Sequence, residues 1–198
     1  MRAFSRITSI LFILLLTSQW VNADATTFKR YKDHDRYDKY FSKYSKRFFG
    51  VGFDWQVFKA QAIAESHLDP DAQSHVGAQG IMQIMPRTYE EIVSKNKFIE
   101  GTATDPKSNI AGGIYYDYKL WHFWTADREL DERLKFMFAS YNAGAGNVLK
   151  AQRKTESSGG EGFFWQYVAE SLPDITGKHS KETLHYVDKI FIIHEDIN

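Results

Sequence analysis

The chain has 198 residues, enough for one compact domain with a real core and too few for two comfortable ones. Its 25 basic and 25 acidic residues cancel, so no nucleic-acid surface or other strongly charged partner face is indicated. With no cysteine, disulfides and a lipid-modified cysteine are excluded, and the seven histidines form no cluster at metal-ligand spacing.

Residues 1–25 read as a secretory signal peptide. Arg2 and Arg6 form the positive start, residues 7–16 are a short Ile/Leu-rich stretch, and Ala23 and Ala25 each end a small-residue cleavage signal. The apolar stretch is short for a membrane span. A periplasmic or secreted protein is therefore expected, with an uncleaved membrane anchor as the alternative. Residues 26–52 are expected to be a lead followed by an aromatic helix that belongs to the domain. Tyr37, Tyr40, Phe41, Tyr44 and Phe48 recur at three- and four-residue steps, the signature of a core-facing stripe, and Gly50 and Gly52 break that helix.

The main domain is expected over 53–198. Asp54 is a good cap for an apolar helix over 55–64 that ends just after Glu65, because Pro70 disfavours helical angles at Asp69. That run is apolar on most sides and should be buried. Phe58, Gln61 and Ala62 lie beneath Glu65 at helical spacing, and none of them is a cation. A carboxyl so placed loses solvation and meets the negative end of the helix, and both hold its proton on. Residues 71–80 form a polar connection in which Gly77 and Gly80 permit close approach to a ligand, and a small hairpin there is one option. Gln83 offers both a donor and an acceptor to a polar ligand.

Pro86 starts a helix to about 94, and Asp105-Pro106 starts another that carries Ile110, Ile114, Tyr118 and Trp121. Gly112 and Gly113 inside it make sense where another backbone packs closely. Trp121, Phe123 and Trp124 are core residues or, alternatively, an exposed stacking surface. An amphipathic helix over 127–141 ends at a turn that contains Tyr141 and Asn142, with Gly144 and Gly146 as helix stops. A short helix over 148–154, a loop over 155–162, a helix over 163–172, a loop over 175–179 and a last helix from Ser180 to about 195 complete the chain. There is no internal repeat and no strand-like alternation. The expected fold is all-α, α+β at most.

Five motifs stand in order along this chain. Glu65, Ser66 and Pro70 read E-S-x-x-x-P; Gly77, Gly80, Met82, Gln83 and Pro86 fit a G-x-x-G-I-M-Q-x-x-P stretch. Asn109, Ile110 and Gly113 follow, then Tyr141-Asn142-Ala143-Gly144, then Glu182, Thr183, Tyr186 and Val187. Together these resemble the soluble lytic transglycosylase family, relatives of goose-type lysozyme, with Ser140 where that family usually has alanine. The resemblance implies a lysozyme-like helical domain with a cleft, and peptidoglycan glycan strands as the partner. It implies cleavage between N-acetylmuramic acid and N-acetylglucosamine with closure of a 1,6-anhydro ring. Glu65 would act as acid and then base, with Ser66, Gln83, Tyr141, Asn142 and Tyr186 around the sugar. Neither a metal nor a cofactor is called for. The alternatives are goose-type hydrolysis of the same bond, for which Asp69, Asp71 and Asp105 are the acids near motifs, and a catalytically silent glycan-binding module.

Overall fold

The computed structural model describes residues 28–198; the signal-peptide expectation lies outside them. Nine α-helices are found among the described residues: α1 Asp38–Phe48, α2 Gln56–Ser66, α3 Pro86–Lys95, α4 Pro106–Phe123, α5 Leu130–Ala143, α6 Ala145–Ser157, α7 Trp165–Ser171, α8 Pro173–Thr176 and α9 Ser180–Ile197. No strand occurs among these residues. The hairpin option over 71–80 reduces to two isolated antiparallel bridges, Gln73 to Gln79 and Gln79 to Ile84.

Helix α2 is the axis of the fold. Every residue from Val57 to Ile63 is buried, the polar Lys59 and Gln61 included, as a helix apolar on most sides should be. It packs against α1 on one side and α9 on the other. Helix α9 continues onto α5, α5 onto α4, and α4 back onto α1, so the helices close a ring around Phe58, Ile63, Ile114, Phe138 and Ile190. The α1–α2 seam carries a charge pair: Lys59, only 2% exposed, reaches Asp38 at 2.9 Å. Deleting one partner of such a pair strands the other in an apolar surrounding, which makes the seam specific as well as adhesive.

Several boundaries differ from expectation for identifiable reasons. Helix α2 does end beside Glu65, but the stop is His67 and Leu68, both left-handed at φ 57° and 65°, with the His67 N–H closing onto the Ile63 carbonyl. Pro70 lies beyond the break. The cap residue is Trp55 rather than Asp54; Asp54 stands one residue before it, its Oδ1 accepting from the Gln56 N–H at 2.9 Å. Gly144, at φ 84°, ends α5, whereas Gly146 is not a stop: α6 starts at Ala145 and runs through it to Ser157. The loop expected over 175–179 is instead α8 and a short 3₁₀ turn, Gly177–His179. Trp124 is core and donates its indole N–H to Ser140 Oγ at 2.9 Å. Trp121 packs on Phe49 and Phe53, leaving Phe123 as the exposed member of the trio.

The glycines of α4 admit a neighbour closely, but it is a side chain rather than a backbone. A methyl on Gly113 would stand 2.7–2.8 Å from Met82, against its Cβ and Cγ as well as its tip. Gly113→Ala is therefore expected to destabilise the protein by about 1–3 kcal/mol, read from urea unfolding midpoints. The Met82 loop should shift with it, so the loss of activity should exceed what the unfolded fraction explains.

Candidate active site

The 79–84 segment is fixed to the helices by side chains that grip its backbone. Asn109, fully buried on α4, accepts the Met82 N–H at 2.7 Å and donates to the carbonyls of Gln79 and Ala103. Ser66 Oγ donates to the Ile81 carbonyl at 2.8 Å, and Tyr141 donates its hydroxyl to the Met82 carbonyl at 2.7 Å. Gly80 sits at φ 72°, and any Cβ there would press on Asn109, so the position needs glycine twice over. Gln83 is also left-handed, at φ 44°. A non-glycine residue held there is strain of the kind found at functional sites. Its amide donates to the carbonyls of Ala72 and Gly80, which leaves Oε1 as its free end.

These contacts shape one wall of a cleft of 560 Å³ whose floor is Glu65. Gln83, Val76 and Met85 line one side; Tyr141, Asn142, Tyr186, Glu182, His185 and Lys189 line the other. Of the residues expected at the site, Glu65, Gln83, Tyr141, Asn142 and Tyr186 meet in this cleft. Ser66 does not line it, and acts one layer back on the loop. Asn142 Oδ1 accepts from Thr183 Oγ1 at 2.7 Å, so its amide protons remain for a guest. Glu182 and Asn142 also border an adjoining 330 Å³ hollow with Asn147, Thr176 and His179.

Burial dominates the electrostatics of Glu65 and pushes its carboxyl from an ordinary 4.5 up to about 7. The Tyr186 hydroxyl, donating to Oε1 at 2.5 Å, and the Lys189 ammonium pull the other way, and Glu182 adds to the rise. Burial and the neighbouring Glu65 in turn hold the Tyr186 phenol well above its usual range, so it stays a donor. Lys189 also donates to the Ala64 carbonyl at 3.1 Å, fastening α9 to the end of α2.

Sequence reasoning missed three of these groups. Lys189 stands three residues after Tyr186 and so on the same helical face, a signal that was available. Asp117 is buried on α4 and touches α2 through Gln61. The acids thought nearest the site are elsewhere: Asp105 caps α4 through the Ser108 N–H, and Asp69 accepts from the Asp71 N–H. The second cleft carboxylate is Glu182. Among the described residues no group of three His, Cys, Asp or Glu side chains is placed to hold a metal.

A profile described as the transglycosylase SLT domain matches residues 40–164, more than half the chain. The chain belongs to the transglycosylase SLT domain family. It is 35% identical over 155 residues to a membrane-bound lytic murein transglycosylase F of Desulfosudis oleivorans, covering 73% of this chain and 33% of that protein. To the protein of the same name from Maricaulis maris it is 31% identical, covering 82% and 37%. The chain thus spans about a third of the length of these curated relatives. Among solved structures, the 70 kDa soluble lytic transglycosylase of Escherichia coli superposes with a TM-score of 0.63 at 27% identity, over 82% of this chain and 24% of that one. The all-α, lysozyme-like SLT fold is shared.

The raised carboxyl has a consequence for stability. As pH rises, the unfolded chain loses the Glu65 proton near 4.5 while the folded one keeps it to about 7. Stability present below 4.5 is therefore lost progressively up to about 7, by at most about 3 kcal/mol. Glu65→Gln, which never ionises, should be the more stable protein above that window and not below it, as unfolding at matched pH values will show. Tyr186→Phe removes the donor that favours the anion, and should move the alkaline limb of any Glu65-dependent activity up by roughly 0.5–1 pH unit.

Proposed function

We propose that this protein is a peptidoglycan lytic transglycosylase cleaving the bond between N-acetylmuramic acid and N-acetylglucosamine. The observation that carries the reading is the buried carboxyl on the cleft floor, held near 7 and hydrogen-bonded by a neutral phenol. Such a group is a proton donor and, once spent, a base at the same pH. Glu65 gives its proton to the glycosidic oxygen as the bond to the muramic anomeric carbon breaks. The substrate's own acetamido oxygen covers the positive charge that develops there. The Glu65 carboxylate then takes the proton of the muramic C6 hydroxyl, whose oxygen closes onto the anomeric carbon. Glu65 ends protonated, no water is consumed, and the product is a 1,6-anhydro sugar.

The polar walls suit that guest. An acetamido group needs an acceptor for its N–H and a donor for its carbonyl; Gln83 Oε1 and the Asn142 amide are the free ends of those two residues. Tyr141 and Ser66 act on the loop that carries Gln83. Residues 53–198 form the catalytic unit in this reading, with 26–52 as its first part, a division supported by the Lys59–Asp38 pair. The signal-like pattern over 1–25 supports action outside the cytoplasm, at the wall. No helix among the described residues is long and apolar enough to cross a membrane.

Glu182 gives the hydrolytic alternative its one foothold, as a carboxylate in the same cleft. Mass spectrometry of muropeptides released from intact sacculi separates the two, since hydrolysis adds a water and ring closure does not. Anhydro products are expected; hydrated ones would assign hydrolysis, and no release would leave a glycan-binding module. Glu65→Gln is expected to keep the fold and lower turnover by about 10²–10⁴; near-wild-type turnover would remove Glu65 from the mechanism.

A further inference from the structure

Beneath the cleft, α2 and α4 share a buried polar pair that the chemistry above does not use. Gln61 stands one turn before Glu65 on the same face of α2. Its Nε2 donates to Asp117 Oδ1 at 3.3 Å. Both residues are wholly buried. The other two polar ends, Gln61 Oε1 and Asp117 Oδ2, have no partner, although each is shut away from solvent. Two orphaned acceptors on an already joined pair are costly if Asp117 is an anion. They cease to be orphans if one of them carries a proton, because a carboxylic acid and a primary amide complement each other with two hydrogen bonds.

We propose that Asp117 is a positioning residue for Glu65: as the neutral acid it donates from Oδ2 to Gln61 Oε1, locking the Gln61 amide against α4 and away from the Glu65 carboxyl. The inference rests on the reading of Glu65 as the reacting acid. Its logic is that an amide N–H one turn below a carboxylate is a donor that would stabilise the anion if it turned that way. Glu65 is otherwise faced by Tyr186, Lys189 and Glu182 from α9, and it in turn pushes up the Asp117 carboxyl on α4 and the Tyr141 phenol on α5. With Gln61 tied back, α2 contributes no donor and desolvation keeps its hold on the Glu65 proton. Burial and the neighbouring Glu65 both drive Asp117 toward its protonated form, so no second negative charge sits behind the site.

Three variants test this through the alkaline limb of the activity–pH profile. Asp117→Asn retains one donor and one acceptor for Gln61 and should leave the limb at its wild-type position. Asp117→Leu frees the Gln61 amide to turn toward Glu65 and should move the limb acid-ward by about 0.5–1 pH unit. The Gln61→Leu/Asp117→Leu double variant removes the amide as well and should restore the limb; it also leaves no buried polar orphan, so it should be the more stable of the two Leu variants. A limb displaced by Asn, or one not restored in the double variant, overturns the proposal. Carboxyl ¹³C NMR of the intact wild-type protein gives a readout free of activity: the Asp117 resonance should stay at its protonated position from about pH 4 to neutrality, and a carboxylate shift there refutes the neutral acid. A wild-type protein that releases nothing from sacculi would sink the lytic reading instead, while the NMR result still decides the state of Asp117.

Discussion

Everything near the cleft depends on keeping one carboxyl out of water. Glu65 is desolvated strongly enough to hold its proton to about 7 even though Tyr186 donates to it and Lys189 is nearby. Burial raises that value most, and Tyr186 and Lys189 lower it. A neutral phenol contributes about as much as one ordinary hydrogen bond, while desolvation of a carboxylate costs more. The mostly apolar surface of α2 suits this constraint. A helix buried on every side is an expensive place for a carboxyl, and the end of that helix, open only to a cleft, is where the expense becomes reactivity.

The second requirement is a rigid wall opposite. The 79–84 segment has almost no regular structure of its own, with isolated bridges at Gln79 as its only ladder. Its order comes from α2, α4 and α5 through Ser66, Asn109 and Tyr141, each bonded to its backbone rather than to its side chains. Backbone anchoring leaves the loop's side chains free for other work: Met82 fills the notch over Gly113, and Gln83 turns to the cleft. The strained backbone at Gln83 is held by that surrounding net of bonds.

Much of this was readable from the residues, because much of it is local. The apolar run before Glu65, the cap at Asp105, and the Pro starts of α3 and α4 are short-range signals, and the helices formed where they pointed. The misses are tertiary. Nothing in the neighbourhood of Asn109 says that it will clamp a loop 27 residues earlier. The close approach at Gly112 and Gly113 was legible, but not that Met82 would fill it. Gly146 carries the composition of a stop, yet adopts helical angles because α6 has partners in α5 and α7. The left-handed pair at His67 and Leu68 has no glycine to announce it. His67 there meets Tyr31, whose hydroxyl bonds its Nδ1 at 3.0 Å, and stacks on Phe28 and Tyr31. That contact comes from the far end of the described chain, where local sequence is silent. Asp117 was overlooked for the same reason, since its partner is on another helix.

The serine at 140, a departure of one oxygen atom from the family's usual alanine, has a meaning beyond tolerance. Its hydroxyl is what the buried indole of Trp124 donates to. Positions 124 and 140 are therefore coupled through that bond in this chain. A lineage carrying alanine at 140 is free of tryptophan's demand for an acceptor only if 124 is something else, and a lineage acquiring tryptophan at 124 is under pressure to place a hydroxyl at 140. Across relatives the two positions should change together, and an isolated exchange of either should be seen only where a third residue has come to accept the indole proton.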